Sequence, residues 1–120
     1  MASGLTAVFG DNAMTLSAAG AGTVTSGPVS AAGQAAYVIV MVHCTAATGT
    51  GPTLDVSLEE SANGSSGWTA VTASAITQLT GTGNRVACAV VTKNFVRVSA
   101  TVGGTGPAVT ASIAVAVFAE

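Results

Sequence analysis

Charge is the scarcest feature of this 120-residue chain: three Lys+Arg and five Asp+Glu amount to 7% charged residues and a formal net charge of −2, and there is one His. So few cations leave no basic footprint for nucleic acid or an anionic lipid surface. Long apolar runs are also missing. Ala35–Cys44 and Ala108–Ala119, the second interrupted by Thr110 and Ser112, fall short of the roughly 20 residues that span a bilayer. Neither nucleic acid nor membrane is expected as a partner. The start, Met1–Phe9, has no positive charge and no apolar core of the kind a secretory signal needs. The expected setting is a reducing cytoplasm. Cys44 and Cys88 fit that setting as free thiols, since both lie in apolar strand-like runs where cysteine acts as a small hydrophobe. They form no close Cys/His pair of the kind zinc requires.

Chemistry-bearing side chains are too few for catalysis, and no catalytic, cofactor-binding or metal residue is expected. His43, the sole His, stands in an apolar strand-like run, and a hydrolytic triad would need a carboxylate to orient it. Glu59 and Glu60 are adjacent, so on a strand they face opposite sides. Asp55 and Glu59 share a face, but about 13 Å apart at the strand rise, beyond the roughly 5–9.5 Å used by glycosidases. Gly20-Ala21-Gly22 belongs to no dinucleotide or phosphate-binding fingerprint. The chain is read as a non-enzyme that uses no cofactor.

What is present is apolar, 49% of residues; Val and Thr dominate the periodic segments, and Gly, Ser, Asn and Pro punctuate them. That is strand-and-turn usage. At this length, one domain is expected, with a folded surface of roughly 5,800 Å². Leu54-Asp55-Val56-Ser57-Leu58-Glu59 alternates cleanly and ends in a loop around Asn63-Gly64, a pair that tolerates the positive φ of tight hairpin turns. Tyr37–Cys44 is apolar on both faces, which predicts a central strand covered twice. Ala75–Leu79 and Val86–Val91 are shorter apolar runs separated by Gly81-Thr82-Gly83-Asn84. Phe95–Val102 and Ala108–Phe118 alternate again.

A weak internal symmetry runs through these segments. Tyr37-Val38-x-Val40 leads through Gly49-Thr50-Gly51-Pro52 into Leu54-x-Val56-x-Leu58. Phe95-Val96-x-Val98 leads through Gly104-Thr105-Gly106-Pro107 into Val109-x-Ala111-x-Ile113. The reading is two hairpins of one design. In all, the pattern predicts an all-β fold, a β-sandwich of jelly-roll type with seven or eight short antiparallel strands over residues 31–120. A closed barrel is the alternative. Residues 1–30 read as an extended N-terminal arm with one short strand. Its anchors Leu5, Val8, Phe9, Met14 and Leu16 are the expected contacts to another chain.

Soluble domains commonly carry about 25–35% charged residues on their surface, so the low charge needs a reason. Either Ser and Thr coat a monomer, or much of the surface lies against other chains.

The run Leu54–Gly64 followed by Trp68-Thr69-Ala70-Val71, with Phe95–Val102 and Gly104-Thr105-Gly106-Pro107, resembles a recurring piece of small structural proteins of tailed bacteriophages. That resemblance covers roughly residues 37–118. It implies a virion component with a jelly-roll or sandwich fold: a capsid decoration (cement) protein, non-enzymatic, assembled in the host cytoplasm. Such a protein would bind the major capsid protein on the outer shell and stabilise it, as a homo-oligomer with a trimer favoured. Two other readings stay open. One is a carbohydrate- or cell-surface-binding module, such as a fibre domain, with Trp68 as platform; the other is a tail or neck structural protein.

Overall fold

The computed structural model describes the backbone of residues 6–30, 36–72 and 74–119, and their side chains except at 6–15, 17–19, 36 and 119. Seven strands are present among the described residues and no helix: β1 (Thr6–Ala19), β2 (Gly22–Thr25), β3 (Val29–Ser30), β4 (Ala36–Ser61), β5 (Thr69–Ala70), β6 (Gly83–Val91) and β7 (Phe95–Ala119). All pairings are antiparallel and belong to one hydrogen-bonded sheet.

Its spine is the pair β4–β7, in register from Ala36↔Ala119 to Ser61↔Phe95. Beside β7 run β1, then β2 and β3; beside β4 run β6 and β5. This corrects the expectation of two Gly-Thr-Gly-Pro hairpins joining short strands. Those corners do not reverse the chain. They bend two long strands, of 26 and 25 residues, that pair with each other.

The physical reason lies in the glycines. Gly49 and Gly104 have φ near +108° and +113°, which a side chain rarely adopts. They also face each other's corner: a Cβ on Gly49 would stand 2.6 Å from the Gly106 carbonyl oxygen, and one on Gly104 would stand 2.7 Å from that of Gly51. Register shifts flank both bends, between Cys44/Ala46, Thr48/Thr50 and Thr50/Thr53. Pro52 and Pro107 sit in this irregular stretch, where a central strand can tolerate a missing N–H.

The bend brings the two ends of β4 together. Fully extended, 26 residues would reach about 86 Å, yet the longest axis of the molecule is 53 Å. Val91 pairs with Ala36 at one end of β4. One residue later, the Thr92 backbone N–H donates to Glu60 Oε1 at the other end, at 2.9 Å. The accessible surface of 5827 Å² matches the roughly 5,800 Å² of a compact chain of this mass.

One face of both halves forms a single core. Val38, Val40, Val42, Leu54, Val56 and Leu58 on β4 are buried, as are Val96, Val98, Ala100, Val102, Val109, Ile113, Val115 and Val117 on β7. The segment read as an extended arm is extended, but it carries three strands paired to β7 rather than one short one. Among its anchors, Leu5 lies outside the described residues. Val8, Phe9 and Met14 lie in β1, where only the backbone is described. Leu16 is 2% exposed and belongs to the core.

Where flanking strands run out, buried serines take their place. Ser26 Oγ accepts the Val98 N–H at 2.8 Å, and Ser74 Oγ accepts the Leu58 N–H at 3.0 Å and donates to the Leu58 carbonyl at 3.3 Å. Leu58 and Val98 are themselves register partners, so the two serines close the same rung from opposite sides. Ser74→Ala leaves the Leu58 N–H buried without a partner, while the Leu58 carbonyl keeps the Val71 N–H at 2.9 Å. The expected loss is about 2 kcal/mol, read as a lower urea midpoint at unchanged slope.

Candidate functional site: an apolar sheet face

The strand that was expected to be covered twice is covered once. On β4, Val38, Val40, Val42 and Cys44 are buried, while Tyr37, Met41 and His43 between them are exposed and Ile39 is half-buried. Register places neighbours from β6 and β7 beside each of them. The outward rows read Val90–Tyr37–Phe118, Cys88–Ile39–Ala116, Val86–Met41–Ala114 and Asn84–His43–Ser112. Three rows are apolar and the fourth is polar but uncharged.

Exposure is high where large side chains stand: Val86 is 66% exposed, Tyr37 50% and Met41 44%. Two shallow depressions mark the face. Met41, His43, Asn84, Val86, Ser112 and Ala114 border one; Tyr37, Ile39, Cys88 and Phe118 border the other.

The other half of the sheet is built in the opposite way. Its outward rows are Asp55–Thr101–Thr23, Ser57–Ser99–Thr25 and Glu59–Arg97. Thr23 and Thr101 share a hydroxyl hydrogen bond of 3.0 Å, Gln78 Nε2 donates to both Asp55 oxygens, and Arg97 Nε donates to Glu59 Oε1 at 2.8 Å. The Arg97 guanidinium also lies 4.3 Å from the centroid of the Trp68 ring. Of the six charged residues with described side chains, five (Asp55, Glu59, Glu60, Lys93 and Arg97) belong to this half, and only Arg85 to the first. The molecule is therefore two-sided, greasy on one half and polar on the other.

The residues weighed for catalysis are dispersed. His43 Nδ1 donates to Asn84 Oδ1, an amide and not a carboxylate. Asp55 is occupied by Gln78 on the other half. The Asn63 loop is organised from within: Asn63 Oδ1 accepts the Ser65 and Ser66 backbone N–H groups, each at 2.9 Å.

Both cysteines are free; Cys44 is buried and Cys88 is exposed on the apolar face. A thiol reagent is expected to modify one thiol in the native protein and two after unfolding, as counted by intact mass.

Sequence reasoning saw that Tyr37–Cys44 is apolar on both faces but put the contact surface in the N-terminal segment. The combined signal was available: the odd positions of 37–41 and the even positions of 86–90 are both apolar. Pairing β6 with β4 sets them on one side.

Compared with protein-family models, curated proteins and solved structures, the chain matches none.

Proposed function

We propose that this protein is a non-enzymatic structural component that docks its apolar sheet face on a protein lattice, and that the lattice is the outer shell of a virion. One observation carries the docking reading: three contiguous rows of uncharged apolar side chains face outward on one half, while five of the six charged residues with described side chains belong to the other. Contiguous exposed apolar patches of several hundred Å² mark interaction surfaces. Three strands about 4.8 Å apart and three rows about 6.6 Å apart give an apolar face of roughly 290 Å². Covering it removes roughly 600 Å² in total, the size of a weak contact taken singly. Repetition over a lattice then makes many such contacts act together.

The virion assignment rests on the resemblance of residues 37–118 to tailed-phage structural proteins. In this role the major capsid protein is the partner, and the protein acts as a homo-oligomeric decoration or cement protein on the capsid surface. Binding the assembled shell in preference to its dissociated subunits stabilises the shell by mass action.

The proposed architecture agrees with that assignment. Cut at the corners, the sheet becomes two four-stranded layers. One runs β1, the second half of β7, the first half of β4, then β6. The other runs β2/β3, the first half of β7, the second half of β4, then β5 with the segment 71–79 that bonds to β4. That order supports reading the fold as a jelly roll.

A glycan-binding role is less well supported, because Arg97 already covers one face of the Trp68 ring. The test is gradient sedimentation of particles from the native source. The protein is expected to travel with them at fixed stoichiometry and to stay on them in the presence of soluble glycans. Its sedimentation as free protein, or release by soluble glycans, overturns the reading.

A further inference from the structure

A sheet edge with unpaired N–H and C=O groups invites another strand, and proteins blunt such edges with short length, bulges, proline or charge. Among the described residues, this protein does so at every edge but one. β1 carries two register shifts, Ala7/Phe9 and Asn12/Met14, and contains Asp11. β2 and β3 are four and two residues long, separated by a segment containing Pro28. β5 has two residues. β6 has nine, paired with β4 from Cys44↔Gly83 to Ala36↔Val91 without a shift. It contains no proline and one charge, Arg85, and no described strand lies on its other side.

We propose that β6 pairs edge to edge with β6 of a second copy, antiparallel about a two-fold axis through Ala87. The occupant follows from the sequence of the strand. In an antiparallel pair, a register centred on Ala87 is the one that engages all nine residues. It sets Arg85 against Ala89 of the second copy, so the one cation never meets itself. On the outward side it sets Val86 against Cys88, and the Val86–Met41–Ala114 row runs on into the second copy's Cys88–Ile39–Ala116 row. Two of the three apolar rows therefore continue into apolar rows across the pair, while the Val90 row meets the second copy's Asn84 row. On the other side Ala87 meets Ala87, which leaves room for close approach. The result is a layer of eight strands built from four and four. This two-fold pair differs from the trimer that the phage resemblance implies, and it uses backbone groups that face docking leaves free.

The experiment separates edge from face by using Met41→Asp, which puts a charge in the apolar face but lies on β4 and leaves the β6 edge intact. The variant is expected to sediment at twice the chain mass. Cys88 of two copies, diagonal neighbours in this register at about 8 Å, is expected to be joined by a short bis-maleimide, and Cys88→Ser to abolish the product. In amide exchange, alternate β6 residues are expected to slow as concentration rises. A monomer whose alternate β6 amides exchange freely at all concentrations overturns the proposal. So does a trimer without Cys88 cross-linking, or an edge that is protected only when a foreign chain is added.

Discussion

Met41→Asp is expected to leave the fold intact and to remove the protein from the lattice proposed as its partner. Met41 stands in the middle strand of the apolar face, 44% exposed, flanked by Val86 and Ala114. Exposed substitutions of this kind change stability by about 0.5 kcal/mol or less. Docked against another apolar surface, the new carboxylate would be buried without a partner, a cost of about 3 kcal/mol or more. At 1.4 kcal/mol per tenfold, that is roughly a hundredfold loss of affinity. Thr25→Asp, exposed on the polar half, is the control and is expected to leave both stability and occupancy unchanged. Equal occupancy for the two variants would show that the apolar face is not the docking surface.

Gly104→Ala is expected to be strongly destabilising, as is Gly49→Ala at the facing corner for the same reason. The Gly104 φ of +113° is a glycine conformation, and the added Cβ would stand 2.7 Å from the Gly51 carbonyl oxygen and 3.0 Å from that of Thr50. Backbone cannot swing aside as a flexible side chain can. Strain of this kind costs about 1–3 kcal/mol, and the enforced separation of β4 from β7 adds to it. We expect a loss of about 3 kcal/mol. Gly51→Ala supplies the comparison: φ is +59° and nothing lies within 4 Å of its Cβ, so only the left-handed penalty of about 1–2 kcal/mol remains. Denaturant midpoints rank the two. Equal midpoints would mean that the corner is not held by glycine-to-backbone contact.

Much of the sheet was legible because its strands obey a period of two. Leu54–Glu59 shows inside and outside residue by residue, and the structure buries Leu54, Val56 and Leu58 while Asp55 is exposed. The corners were legible as chemistry but misread as geometry. Gly-Thr-Gly-Pro signals positive φ, yet whether such a segment reverses a strand or bends it depends on what pairs across it. Here each corner pairs with the other, Thr50↔Thr105, a contact 55 residues apart that no local pattern reveals. Ser26 and Ser74 carried no signal, because a serine that completes a ladder looks like any loop serine until Val98 and Leu58 are seen opposite.

The apolar face was half visible. Tyr37–Cys44 was recognisably apolar on both sides, and such strands usually lie under two layers. Among the described residues no second layer covers this one. A face built for cover and left bare within one chain calls for cover from another, and that is the physical basis of the account.

The most direct test is an image of the particle from its native source at a resolution that traces strands. The account predicts a β-fold on the outer shell, with Tyr37, Met41, Val86 and Val90 turned toward the underlying subunits and Asp55, Glu59 and Arg97 toward solvent. An orientation with the apolar rows facing solvent, or particles that lack this chain while the protein persists alone in solution, would contradict it.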